Sequence, residues 1–106
     1  MKLRFLSLPT LALLAACIAS PADVSWTGWI SDDMCGAQGA HDGAAECTTK
    51  CVKEHGAKYV FVNDSDKKVY TIDAQDKVAA HAGHHVTVKG TVDGNTLKLT
   101  SIEMAK

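Results

Sequence analysis

The run Val86-Thr87-Val88-Lys89-Gly90-Thr91-Val92 alternates apolar and polar side chains residue by residue. An extended strand with one buried face is the structure that reconciles this pattern. Asp93-Gly94-Asn95 follows as a tight-turn signal, and Thr96 to Ile102 resumes the alternation with Leu97 and Leu99 inward. Ile102 is out of phase with them, so a bulge is expected near Thr100-Ser101. A lone hairpin is not stable in water, so the rest of the chain must supply more sheet to cover its apolar face.

It does so upstream. Val24 to Ile30 reads as a first strand, with Val24, Trp26 and Ile30 on one face and Gly28 marking a bend such as a barrel corner. Lys58 to Asn63 and Val69 to Ile72 form a second hairpin around Asp64-Ser65-Asp66-Lys67. Asp73 to Ala82 is expected to hold a short helix ended by Gly83. Between the first and second strands lies a long insert. It consists of a Gly-, Ala- and Asp-rich loop from Ser31 to Gly43 and a helix from Glu46 to His55. Asp42 is its expected N-cap, Glu46/Lys50 and Lys50/Glu54 its i,i+4 charge pairs, and Gly56 its stop. Five strands with a helix between the third and fourth have the connectivity of an OB-type barrel. The expected fold is therefore mainly β, a five-stranded OB-like barrel with a Cys/His-bearing loop-helix insert between strands 1 and 2. A small open sheet with the helix packed on one face is the alternative.

The N-terminus stands apart. Lys2 and Arg4 precede an apolar stretch, Phe5 to Ala16, too short to span a bilayer as a mature helix, and small residues follow. Residues 1–22 read as an export signal, leaving 23–106 as one domain. Two cleavage points compete. Leu14-Ala15-Ala16-Cys17 has the form of a bacterial lipobox, with Cys17 lipidated and exposed as the new N-terminus; Ser20-Pro21-Ala22 suits ordinary cleavage before Asp23. Either way the expected location is the periplasm or outer envelope, and membrane attachment would come only through a lipid at Cys17. Lys2 and Arg4 leave with the signal, so the near balance of 11 basic and 12 acidic residues tips acidic and no arginine remains. No basic stripe exists, which argues against nucleic acid.

Three cysteines remain in the domain whichever cleavage occurs. With one histidine they read Cys35-x5-His41-x5-Cys47-x3-Cys51. Cys47, Cys51 and His55 are spaced four apart, which sets them on one helical stripe. Cys35 and His41 sit on a loop able to fold over it. Three chemistries follow. In the first, Cys35 pairs with Cys47 or Cys51, a disulfide suited to a small exported domain, although one thiol is left over. A Cys47–Cys51 bond would span one helical turn in poor geometry. Alternatively Cys35, His41, Cys47 and Cys51, with His55 in reserve, form a Cys3His site for zinc or copper. Third, Cys47 in the first helical turn is a redox nucleophile, though no Cys-x-x-Cys accompanies it.

His81, His84 and His85 read as solvated loop histidines, with a second metal patch as the competing reading. Trp26 is the core member of its pair, and Trp29 is the candidate binding surface, an aromatic free to stack on a ligand. Asp32 and Asp33 read as a solvated turn. No catalytic constellation is recognisable.

Trp26-x-Gly-Trp29-Ile-Ser-Asp-x-x-Cys35-Gly, Cys47-x3-Cys51-Val, Gly56-Ala-Lys-Tyr-Val-Phe and His81-Ala-Gly-x-x-Val-x-Val-x-Gly together resemble a family of small exported bacterial proteins known only as a domain of unknown function. The resemblance implies a secreted or envelope protein and brings no activity, so it assigns no catalytic residue. The expectation is a non-enzymatic envelope module, braced by a disulfide in its Cys/His loop, that binds an unknown envelope protein or small ligand. A periplasmic zinc or copper protein and a thiol redox protein are the alternatives.

Overall fold

The computed structural model describes residues 22–105; the expected export signal (1–22), all but its last residue, and the expected lipidation at Cys17 lie outside them. Strand β1 (Ala22–Asp32) leads into a 3-10 turn (Gly36–Gly39) and helix α1 (Ala45–His55). Strands β2 (Tyr59–Asn63) and β3 (Val69–Ile72) follow. Helix α2 (Gln75–Val78) runs into a 3-10 turn (Ala79–His81), and β4 (His85–Asp93) and β5 (Thr96–Met104) complete the chain. The strands close into a barrel in the order β1-β2-β3-β5-β4, with β3 parallel to β5 and every other pair antiparallel. This is the five-stranded OB-like arrangement, with the insert between β1 and β2.

Closure depends on β1 serving two neighbours. Ala22 to Trp29 pair with β4 while Gly28 to Asp32 pair with β2, so Gly28 faces Val86 on one side and Asn63 on the other. A Cβ at Gly28 would lie 2.0 Å from the Val62 carbonyl oxygen and 2.7 Å from the Phe61 ring. Only glycine permits that approach. The bulge on β5 is where the phase shift puts it. Lys89 pairs with Ser101 and Gly90 with Leu99, leaving Thr100 as the extra residue.

Ile30, Phe61, Val86, Val88 and Leu97 are fully buried inside the barrel, and Val78 of α2 plugs it. Trp26, half-buried, packs on this core with its ring stacked 6.3 Å from Phe61 and tilted 4.9 Å from Tyr70. The side chain of Gln75 completes the sheet where β3 ends. Its Oε1 accepts the Tyr59 N–H at 2.8 Å, and its Nε2 donates to the Tyr59 and Ile72 carbonyls at 2.9 Å each.

Two local expectations need correction. Asp42 does not cap α1. The helix starts at Ala45, its N-cap position is Ala44, and no side chain caps it. Gly43 turns the chain at φ +89°, and tertiary packing sets the start, because Ala44 is buried and Ala45 lies against Gly83. The second correction concerns the charges along α1. Among the described residues the ion pairs are His85–Asp64 and Lys98–Asp93; Glu46, Lys50 and Glu54 do not close pairs.

A three-cysteine candidate metal centre

The sulfur atoms of Cys35, Cys47 and Cys51 all lie within 4.8 Å of one another. Cys47 and Cys51 project from successive turns of α1, as their spacing requires. Cys35 reaches them because the chain after β1 folds back sharply. Ser31, fully buried, donates its hydroxyl to the Gly36 carbonyl at 2.9 Å. Asp32, also fully buried, accepts the N–H groups of Met34 at 3.0 Å and Cys35 at 2.9 Å through Oδ1. Asp33 and Lys58 exchange two further bonds, 2.9 Å and 3.2 Å long, which tie the turn to the start of β2. Gly39 packs so closely that a Cβ there would fall 2.4 Å from the Ser31 hydroxyl.

The thiols are free and unequally exposed: Cys35 and Cys51 are half-buried, Cys47 is exposed. Partial burial pushes the Cys35 thiol up to about 11, and the negative charge of Asp32 and the neighbouring cysteines add in the same direction. Cys51 is raised by burial first, then by Asp32 and Cys47. Both groups are therefore neutral thiols near pH 7, protonated until something displaces the proton.

The anticipated four-residue set is only partly assembled. His41 is not among the grouped donors; it is exposed, with its Nδ1 2.8 Å from the Asp42 carbonyl oxygen. His55, also exposed at the end of α1, is not among them either. The reason for His41 lies in the backbone: the Gly36–Gly39 turn draws Cys35 inward, and the chain leaves outward before α1 begins. No disulfide links Cys35 to Cys47 or Cys51.

Asp32 was expected in a solvated turn with Asp33. Asp33 is exposed, but Asp32 is buried, and its second oxygen, Oδ2, is buried without a hydrogen-bond partner. An Asp whose side chain bonds the backbone N–H two residues on makes an Asx turn, and Asp32 does this with Met34.

The other aromatic and histidine candidates are engaged internally. Trp29, the proposed ligand-stacking surface, stacks on His85 at 4.6 Å, and His85 Nε2 donates to Asp64 Oδ2 at 2.7 Å. His81 and His84 meet edge to face at 6.0 Å, each with a buried, unpartnered Nδ1. These three histidines are half-buried rather than solvated.

A family model described as a protein of unknown function, DUF5818, matches residues 53–105. The matched stretch begins inside α1 and takes in β2 to β5, leaving β1 and the three cysteines outside it. No curated protein and no solved structure matches the chain.

Proposed function

This chain belongs to the DUF5818 family of proteins of unknown function, and from its own site we propose that it is an exported, non-enzymatic envelope protein whose three cysteines hold a thiophilic metal ion, zinc or copper. The observation that carries this reading is the convergence of Cys35, Cys47 and Cys51 within 4.8 Å, drawn from two separate segments of the insert. A soft cation uses all three sulfurs at once, whereas one disulfide strands the third. A redox nucleophile needs a thiolate; Cys35 and Cys51 are raised, and Cys47, the residue in the first helical turn, has no Cys-x-x-Cys partner.

The ion has structural work to do. Helix α1 buries little on the barrel, chiefly Thr48 and part of Val52, and a domain this small gains from a staple. Binding releases thiol protons, and its free energy becomes stability of the insert. Export, with periplasmic or outer-envelope residence and a lipid at Cys17 as one route to the membrane, is supported by the charged, apolar and small-residue order of residues 1–22.

A second reading stays alive because the sulfurs are so close: oxidation of Cys35 with Cys47 or Cys51 after a rotamer change would brace the same insert. Native mass spectrometry on protein isolated without chelator decides between them. One zinc or copper ion per chain, lost in each of C35S, C47S and C51S, is the expected result. A metal-free chain lighter than the fully reduced one by two hydrogen atoms (two protons and two electrons taken by an oxidant) would overturn the metal reading in favour of the disulfide.

A further inference from the structure

A buried carboxylate oxygen without a partner is costly to keep, and Asp32 keeps one on the turn that carries Cys35. Its Oδ1 is committed to the Met34 and Cys35 N–H groups, its exposure is 0%, and its Oδ2 is orphaned. Building on the metal reading above, we infer that Asp32 makes this a site for a divalent, four-coordinating ion of the zinc class rather than for copper(I).

Three features support the choice. Zinc completes a tetrahedron from sulfur, nitrogen or oxygen donors, including aspartate and water. Three cysteines leave one position for a water; Asp32, whose carboxylate is not grouped with the three sulfurs, serves it by accepting that water's hydrogen bond through Oδ2. Copper(I) is content with two or three soft donors and gains nothing from a carboxylate. Charge points the same way. Three thiolates are offset better by a divalent ion than by a monovalent one. Asp32 also fixes the turn from which Cys35 emerges, so its placement and the ligand's placement are one arrangement.

The test uses the full chain, reduced, titrated with zinc and separately with copper(I) in competition with chelators of known affinity. D32N keeps a carbonyl oxygen for the Met34 and Cys35 N–H groups and removes the charge. The expected result is a loss of roughly 10- to 100-fold in zinc affinity, the range for groups that support metal ligands, with copper(I) affinity unchanged or higher. Cadmium NMR of the unmutated chain should report three sulfur donors and an oxygen, and it decides the question if D32N fails to fold. Equal losses for both ions, or a cadmium resonance lacking an oxygen donor, would overturn the role of Asp32 while the three-thiol site stood. Failure of the unmutated chain to bind either ion would remove the site itself.

Discussion

Replacing Ser31 with alanine tests whether the turn after β1 really positions Cys35. Ser31 is fully buried, and its hydroxyl makes one 2.9 Å bond to the Gly36 carbonyl. Removing it loses a neutral hydrogen bond and strands a carbonyl, about 2 kcal/mol in all. At about 4–8 °C per kcal/mol for a domain of this size, the melting midpoint should fall by roughly 8–16 °C. If that energy orders the turn before the metal arrives, zinc affinity should fall about 10- to 30-fold, at 1.4 kcal/mol per decade. The assay is competition for zinc against a chromophoric chelator, run beside a thermal melt. Gly39→Ala sharpens it, because its Cβ would strike the Ser31 hydroxyl at 2.4 Å. In the Ser31→Ala background that oxygen is gone, so the second substitution should do less harm than alone, a coupling that a double-mutant cycle measures. A melt that falls with zinc affinity unchanged would refute the reasoning.

Other outcomes follow from the same geometry. Gln75→Ala, which loses three bonds and orphans the Tyr59 N–H, should cost about 2–3 kcal/mol in denaturant melts; Gln75→Glu should cost more at neutral pH, because an acceptor then faces two carbonyls. Gly28→Ala puts a Cβ on the Val62 carbonyl, so it should destabilise by about 3 kcal/mol, the upper end for overpacking, and a neutral melt would contradict the barrel-corner account. Alkylation of Cys35 in the metal-free reduced protein should climb with pH until about 11. In the unfolded chain the rise should end near the ordinary thiol value. The raised value also means that whatever stability the neutral thiol lends is intact below the unfolded pKa and fades as pH rises towards 11. Rate profiles that coincide in folded and unfolded protein would sink that account.

Much of the barrel was readable because its signals are local. Alternation marked β4 and β5, the phase slip at Ile102 marked the Thr100 bulge, and a glycine inside an aromatic strand marked the corner at Gly28. The stripe of Cys47 and Cys51 was equally local, since helical spacing alone aligns them. What escaped depends on partners far along the chain. Gln75 reaches back 16 residues to Tyr59, and Asp64 meets His85 across 21. Neither leaves a periodic trace. The burial of Asp32 and the outward path of His41 follow from how tightly the Gly36–Gly39 turn closes on Ser31, and no spacing rule encodes that. Asp42 illustrates the reverse case, a good capping residue overridden where Ala44 and Ala45 pack.

All five residues of β2 are buried, although a barrel strand ordinarily shows every second side chain to water. Tyr59 and Phe61 belong to the interior cluster. Val60 lies on the opposite face, across from Ser31, where the Gly36–Gly39 turn contacts the strand. That turn is thus a roof over an apolar strip, and a metal held by the three sulfurs would tie it to α1. On the metal reading proposed above, chelation should free α1 while the Ser31 and Asp32 bonds keep the turn closed, so the covered strand face should become adhesive only when those bonds are cut as well.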